Sequence, residues 1–339
     1  MTTFKKINRE KSYLINIIAL LFIFILPLTS ANAEAGEDEK FSPGDMIMHH
    51  IQDAPEWHLW DGPYGTIPLP VILYSPNQGL SVFMSGRFEH GHASYQGYRV
   101  EEGHIVSESG DKFYDFSITK NVAQLLINVL VMLLLFISVA KAYKNRAGKA
   151  PKGMQSLIEP IILFIRDEIA KPNIGEKHNK YMPYLLTLFF FIWLGNLIGL
   201  TPGAANLTGN IAVTGSLAFF TLILTLFSSK SYYWKHIFWP PGVPTPIKFI
   251  IIPVEVIGIL TKPFSLMIRL FVAITAGHVV LLSLLGLTFV FHSYLVGIGS
   301  TMIVLFINII ELLVATIQAY VFTLFTSMYI GMALEEEHH

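Results

Sequence analysis

The last third of the chain holds two unusually long apolar stretches, 248–291 and 296–333, each of roughly forty residues. A continuous helix of that length would measure ~60 Å, about twice the ~30 Å hydrocarbon core of a bilayer. Neither stretch contains a polar loop, although Pro263 can bend the first. We therefore expect two long, strongly tilted membrane helices that form an antiparallel hairpin.

The composition places the rest of the chain in the same class. Of its 339 residues, 53% are hydrophobic and only 14% are charged, which is typical of a polytopic membrane protein. Three shorter apolar stretches, 118–140, 182–200 and 211–227, are long enough to bring the expected total to five transmembrane helices in an all-α fold. The net charge of −1 gives no reason to expect nucleic-acid binding, and the absence of cysteine excludes disulfides, Cys-ligated zinc and iron–sulfur clusters.

The N-terminus has the three parts of a secretory signal peptide. Four basic residues at positions 5–11 precede an apolar run, 13–28, which is followed by an Ala-x-Ala end at Ala31 and Ala33. We expect residues 1–33 to be a signal peptide; the alternative is a first transmembrane helix.

The next segment, 34–116, should then be periplasmic. It contains fourteen acidic residues and four Lys or Arg, and its turn dipeptides and short apolar runs predict a small, irregular or β-leaning segment. The remaining residues, 117–339, are expected to form the membrane domain.

The charge bias of the connections predicts the orientation. Segment 141–180 carries nine Lys or Arg and segment 230–248 carries three with no acid, whereas the connections near 201–210 and 292–295 carry none. Because basic connections stay on the cytoplasmic side, five spans would place the mature N-terminus in the periplasm and the C-terminus in the cytoplasm. Within the first basic connection, 154–169 has the spacing of an amphipathic cytoplasmic helix, which could equally bind a partner or anchor to the membrane.

Residues 249–333 contain only four charged residues, all within the two long stretches. Glu255, Lys262 and Arg269 are spaced by seven and form one slowly drifting stripe of the fourth helix, and Glu311 lies on the fifth. An arginine at membrane depth is unfavourable by at least ~2.5–3.5 kcal/mol, so Arg269 is a functional-site candidate. His278 lies on the opposite face from Arg269, ~13 Å further along the axis.

An antiparallel hairpin brings these polar residues into two pairs. Arg269 with Gln318, and His278 with Glu311, are both centred on the 292–294 region where the turn is expected. His278 and Glu311 can pass protons along a wet path, whereas Arg269 holds its proton and acts as a fixed positive charge. The pattern predicts a proton relay on one face and an electrostatic gate on another. The alternatives are that His278 is a packing residue and that Arg269 only pairs with Glu311.

The same residues carry a family resemblance. The runs KPFSLMIRLFVAITAGH at 262–278 and ELLVATIQAYVFT at 311–323, with NLIGLTP at 196–202 and NIAVT at 210–214, resemble the signature of subunit a of the F-type ATP synthase over about residues 118–338. The resemblance implies a stator subunit of the bacterial inner membrane that forms two proton half-channels beside a ring of c subunits. It would couple proton translocation to ring rotation and ATP synthesis.

The resemblance also implies a role for each site residue. Arg269 would face the ring carboxylate, with Gln318 near it. His278 and Glu311 would line the periplasmic half-channel and Glu255 the cytoplasmic one, with Lys262 nearby. His278 and Glu311 stand exchanged relative to many bacterial members, as in mitochondrial ones, which preserves one acid and one imidazole.

One departure removes a polar lining residue. Val272 and Ala273 stand where the family commonly has a different pair, with an asparagine in the second place. The implied partners are the c ring, the b-subunit peripheral stalk, the remainder of the complex and the lipid bilayer. The subunit would not itself be an enzyme and needs no cofactor or metal.

Two other functions compete with this one. A stand-alone proton-coupled secondary transporter would be favoured by internal repeats, and none is evident. An intramembrane metalloprotease would need a motif such as His-Glu-x-x-His, which does not occur.

Overall fold

A computed structural model describes Gly44 and residues 52–58, 65–91, 93–101, 103–145, 149–201, 203–240, 244–291 and 293–335. The expected signal peptide, 1–33, lies outside these residues. The described chain divides into a small β-rich part before residue 116 and a helical part after it. The expected combination of an all-α membrane domain with a small β-leaning segment before it is confirmed.

The β-rich part contains seven short strands. They are β1 (Glu56–His58), β2 (Thr66–Pro68), β3 (Pro70–Ser75), β4 (Gly79–Met84), β5 (Tyr98–Glu101), β6 (His104–Ser107) and β7 (Tyr114–Asp115). Strand β3 lies between β4 and β7 in an antiparallel sheet, and β1–β2 and β5–β6 are separate antiparallel pairs. One face of the three-stranded sheet covers a small core built from Val71, Leu73, Phe88, Tyr98 and Ile105.

Two polar side chains fasten this part to the helical part. The Asp53 carboxylate accepts hydrogen bonds from the Thr119 hydroxyl at 2.8 Å and from the Asn121 N–H at 3.2 Å, where the first membrane helix starts. Because the first N–H groups of a helix lack intrahelical partners, Asp53 caps that helix from a distant part of the chain. The Trp57 indole N–H donates to the Gly203 carbonyl at 2.6 Å in the connection between two later helices.

The helical part contains eight α-helices within the described residues. They are α1 (Lys120–Asn145), α2 (Met154–Phe164), α3 (Lys171–Ile174), α4 (His178–Gly199), α5 (Ile211–Ser228), α6 (Ser231–Phe238), α7 (Thr245–Phe291) and α8 (Tyr294–Leu334). Among the described residues, five helical runs are long and apolar enough to cross a membrane: α1, the run Met154–Gly199, α5, α7 and α8. Gly175, with φ of +72°, separates α4 from the helices before it, so α4 is the crossing part of that run.

Two of the crossing helices, α1 and α5, bury mainly polar or small side chains and expose apolar ones. The buried residues of α1 include Asn121, Gln124 and Asn128, whereas Leu126 and Leu134 on the same helix are exposed. Helix α5 repeats the arrangement, since its buried residues are three threonines and an alanine. An apolar outer surface is stable only in lipid, so this inversion agrees with the membrane class expected from composition.

Helices α7 and α8 form the expected antiparallel hairpin. Both proline residues inside α7, Pro253 and Pro263, lie within one continuous helix of 47 residues. The Thr288 and Ser300 hydroxyls are hydrogen-bonded at 2.7 Å near the turn and set the register of the pair. The hairpin packs on α4, where the Trp193 indole N–H donates to the Thr316 hydroxyl at 3.1 Å.

The amphipathic helix predicted at 154–169 ends earlier as an α-helix, and part of its apolar surface is buried. Helix α2 ends at Phe164 and continues as a π-helical segment, Ile165–Ala170. Ile158, Ile165 and Ile169 are buried in the core of the helical bundle. Part of the apolar surface therefore packs against the chain's own helices, whereas Leu157 and Phe164 stay exposed. Partner binding or membrane anchoring by these exposed residues stays a prediction.

Three hydrogen bonds to backbone carbonyls show which connections share an end of the bundle. The Ser327 hydroxyl donates to the Ile169 carbonyl at 3.1 Å, and the Lys230 N–H donates to the Ala333 carbonyl at 3.0 Å. Both basic connections thus meet the final turns of α8, while the Trp57 contact to Gly203 lies at the other end. This grouping is the one that the charge bias predicts.

Replacing Gly331 with alanine should destabilise the fold. A Cβ at this position would collide with the backbone carbonyl of Asn173, which cannot rotate away as a side chain can. Overpacking of this kind is unfavourable by about 1–3 kcal/mol. We expect a lower thermal unfolding midpoint in detergent for G331A. The matched control is G258A, where the added Cβ meets open space and should leave the midpoint unchanged or raise it. Equal midpoints for G331A and the original chain would contradict the proposed contact.

Candidate functional site

The hairpin brings His278 of α7 and Glu311 of α8 together. His278 Nδ1 lies 3.8 Å from Glu311 Oε1, and the two side chains are 18% and 10% exposed. The distance is too long for a direct hydrogen bond, and one water or a small rotation of the carboxylate would complete the link. The pair can therefore exchange a proton without leaving the protein interior.

The second carboxylate oxygen of Glu311 has no hydrogen-bond partner among the described residues. Within the described residues, Glu311 Oε2 is buried and accepts no hydrogen bond. The same holds for the hydroxyl oxygen of Thr275, which lies one helical turn from His278 on the side of Arg269. Buried polar atoms in native proteins are normally satisfied, so ordered water is expected at both positions.

Gly277 allows the close approach of Glu311. A Cβ at this position would collide with Glu311 Oε1 and would lie 3.3 Å from its Cγ. The glycine therefore lets the carboxylate lie against the backbone of α7 beside His278. Sequence reasoning overlooked both Gly277 and Thr275, although the glycine directly before a membrane histidine was a usable signal.

Arg269 stacks on an aromatic ring. Its guanidinium carbon lies 4.6 Å from the ring centre of Phe325, and no described carboxylate lies within ion-pair distance of it. A cation–π contact stabilises by about 0.5–2 kcal/mol, which is less than the cost of at least ~2.5–3.5 kcal/mol for placing an arginine at the bilayer centre. The structure thus leaves the charge of Arg269 only partly compensated within the described chain. It also places Arg269 and Glu311 apart, against the alternative that they form a simple ion pair.

Gln318 is half-buried on α8, at the level expected from the hairpin. No hydrogen bond joins it to Arg269 in the described part of the chain, where Phe325 takes the contact instead. The long Arg269 side chain reaches Phe325, which lies two helical turns beyond Gln318. Sequence spacing alone does not reveal this reach. The suggested closeness of Arg269 and Gln318 stays a prediction about the working state.

A small open cleft lies at the end of the bundle that carries the basic connections. Its lining includes several polar side chains, namely those of Thr221, Thr225, Tyr233, Lys262 and Tyr329. Lys262 Nζ lies 5.7 Å from the ring centre of Tyr329. Burial, and after it the Glu255 carboxylate, raise the pKa of Tyr233. Glu255 lies one helical turn before Ile259, which also lines the cleft. Lys262 lines the cleft, and Glu255 adjoins it.

A buried amide cluster lies at the opposite end of the bundle. Gln124, Asn128, Asn196 and Thr208 are at most 4% exposed. Asn128 donates to the Phe191 carbonyl at 2.9 Å, and Thr208 donates to Asn196 at 2.7 Å. Both polar atoms of Gln124, Asn128 Oδ1 and Asn196 Nδ2 have no partner among the described residues, so this region also has places for water. Sequence reasoning missed the cluster because its members come from three separate segments.

Comparison with known proteins agrees with this arrangement. The sequence profile of the ATP synthase A chain matches residues 123–331, which cover all five crossing helices. The chain belongs to the ATP synthase A chain family. A profile described as a domain of unknown function matches residues 46–125 and so covers the β-rich part of this family member.

Relatives are similar along most of their length. ATP synthase subunit a of Chloroherpeton thalassium is 46% identical, and the alignment covers 98% of this chain and 95% of the relative. ATP synthase subunit a 2 of Chlorobaculum tepidum is 37% identical over 89% of this chain and 77% of its own. ATP synthase subunit a of an Anaeromyxobacter species is 36% identical over 91% and 75%. This A chain is accordingly a membrane-embedded subunit of a larger complex.

Replacing Gly277 with alanine should disturb proton transfer more than folding. The added Cβ would push the flexible end of Glu311 away from His278, while the helix backbone stays as it is. We expect a severalfold slower proton flux through the assembled complex in vesicles, measured with a pH-sensitive dye. G299A on α8, where the Cβ meets open space, is the matched control and should keep the original flux. Unchanged flux in G277A would show that the Glu311 position does not matter.

Proposed function

We propose that this A chain is the membrane stator subunit of an F-type ATP synthase and provides two proton half-channels beside a rotating c ring. In this proposal it couples proton translocation to ring rotation and ATP synthesis, and it is not itself an enzyme. The observation that carries the proposal is the position of Arg269. Its charge has no described carboxylate partner, and it lies between the His278–Glu311 pair and the Glu255 cleft.

Protons enter from the periplasm past the His278–Glu311 pair. Histidine titrates near neutral pH, and the unpaired oxygen of Glu311 gives the proton a second acceptor position. The proton then passes to a carboxylate of a c subunit in contact with α7 and α8. The exposed outer surfaces of these helices, with Val272, Ile309 and Leu313 among them, suit an apolar partner helix.

Arg269 keeps the two paths separate. A fixed positive charge lowers the pKa of a passing c-subunit carboxylate and so favours release of its proton. The same charge repels a proton that moves directly from one half-channel to the other. Release occurs into the cleft near Glu255, with Lys262 at its lining and Gln318 near Arg269.

The arrangement in the cell follows from the same reasoning. The chain lies in the bacterial inner membrane with its mature N-terminus in the periplasm and its C-terminus in the cytoplasm. Residues 1–33 are a signal peptide, 34–116 a periplasmic segment and 117–339 the membrane domain. Besides the c ring, the partners are the b-subunit peripheral stalk, the rest of the synthase and the surrounding lipid.

Replacing Arg269 with alanine should abolish ATP-driven proton pumping. Without the fixed charge, ring carboxylates have no counter-charge and protons can leak between the half-channels. Pumping is measured in inverted membrane vesicles that contain the assembled complex. The control is R166A, because Arg166 is partly exposed and pairs with Asp167 rather than with a residue of the hairpin, so its loss should leave pumping intact. Coupled pumping in R269A would refute the proposal.

The variants H278A and E311Q should each slow pumping by about tenfold or more, since each removes a proton-transferring group. If the two side chains act as one relay, the double variant should be about as slow as the worse single variant. Pumping rates of the four chains, normalised to the amount of assembled complex, test this. Strictly multiplicative losses would mean that the two groups serve separate paths.

A further inference from the structure

The three-stranded sheet has an apolar face that nothing in the described chain covers. Its exposed members come from all three strands: Tyr74 is 46% exposed, Leu80 66%, Val82 61%, Met84 47% and Tyr114 62%, with Phe116 66% directly after β7. Strand pairing places Tyr74 between Leu80 and Tyr114, and the rings of Tyr74 and Tyr114 are stacked with centres 6.5 Å apart. These side chains form one surface, which we call the outer sheet face.

The outer sheet face is not the core side of the sheet. Val71 and Leu73 alternate with its members along β3 and are fully buried against Phe88 and Tyr98. An antiparallel sheet with one face in water normally has polar residues on that face. Here both faces are apolar, so the outer face is expected to be covered by something.

The connection to α1 identifies the cover. The Phe116 N–H donates to the Ile72 carbonyl at 2.9 Å, and the Ile118 N–H donates to the Pro70 carbonyl at 3.0 Å. The sheet is therefore hydrogen-bonded to within two residues of Lys120, where the membrane helix begins. Lys120 lies at most ~13 Å along the chain from Phe116, so the sheet is held at the membrane surface.

The exposed apolar residues continue from the sheet into the helix. After Phe116, the next exposed large apolar residues are Val122 and Leu126, on the lipid-facing surface of α1. Tyrosine is enriched at membrane–water interfaces, where a ring is buried and its hydroxyl stays wet. Since the surface is aromatic and aliphatic, carries no charged side chain and is tethered to the end of a lipid-exposed helix, a bilayer fits it.

We propose that the outer sheet face lies on the outer leaflet of the membrane and inserts its apolar side chains into the headgroup–acyl boundary. The β-rich part would then be a lipid-bound anchor that holds the start of α1, through Asp53, and the 201–209 connection, through Trp57, at a fixed depth. This proposal depends on the chain crossing a membrane and does not depend on the route of the proton.

The absence of cysteine makes a direct test possible. Single cysteines at Leu80, Val82 and Phe116 receive a nitroxide spin label in the assembled complex, whose other subunits lack reactive cysteines. The complex is reconstituted in vesicles of phosphatidylethanolamine and phosphatidylglycerol. Collision with oxygen, which concentrates in the bilayer, is compared with collision with an aqueous nickel chelate. Q78C at the turn of the β3–β4 hairpin and R99C on β5 are exposed controls.

We expect a severalfold higher oxygen-to-nickel ratio at L80C, V82C and F116C than at the two controls. ATP-driven pumping by the labelled complexes shows that they are assembled. A ratio equal to that of the controls would place the face in water. Immobilised labels that neither reagent reaches would show that a protein covers it, whether another subunit or a second copy of this chain. Either result overturns the proposal, and three positions guard against one variant that fails to fold.

Discussion

The register of the α7–α8 hairpin is the constraint on which the candidate site depends. It is set near the turn by the Thr288–Ser300 hydrogen bond and maintained far from it by the Lys262–Tyr329 contact. Successive residues of an α-helix are rotated by about 100° around its axis, so a slip of one residue would turn the Glu311 side chain away from His278. Contacts outside the hairpin, such as Trp193 with Thr316, hold α8 against the rest of the bundle and so protect this register.

Much of the fold could be predicted from the sequence because lipid imposes simple rules. The apolar lengths predicted five crossing helices, the number found among the described residues, and antiparallel pairing predicted that His278 meets Glu311. Features that depend on side-chain reach or tertiary packing could not be predicted from the sequence. Neither the contact of Arg269 with Phe325 nor the packing of Ile158 into the bundle core could be predicted, because local spacing does not show what lies opposite a side chain. The amide cluster joins residues more than eighty positions apart and leaves no local pattern.

The small residues of the hairpin have a structural meaning that composition hides. Without a hydrophobic driving force between helices in lipid, close approach and polar contacts determine how they associate. Gly277 admits the Glu311 carboxylate and Gly331 admits the backbone of Asn173, so each glycine marks a contact that a methyl group would block. Gly258 and Gly299 face open space and mark no such contact, although all four belong to the same two helices. Only the three-dimensional structure distinguishes the glycines that make a close contact from those that do not.

Spacing along α7 leaves two gaps in a proton path that follows this helix alone. Arg269 lies fourteen residues from Glu255 and nine from His278, or ~21 Å and ~13 Å along the axis. A proton cannot cross either gap in one step, and a route along α7 meets a positive charge that the described chain compensates only with an aromatic ring. A mobile carboxylate that moves past Arg269 removes both obstacles, since it carries the proton across the gap and neutralises the arginine when deprotonated. In the proposed function, the partly compensated charge of Arg269 therefore has a physical role only if its partner moves.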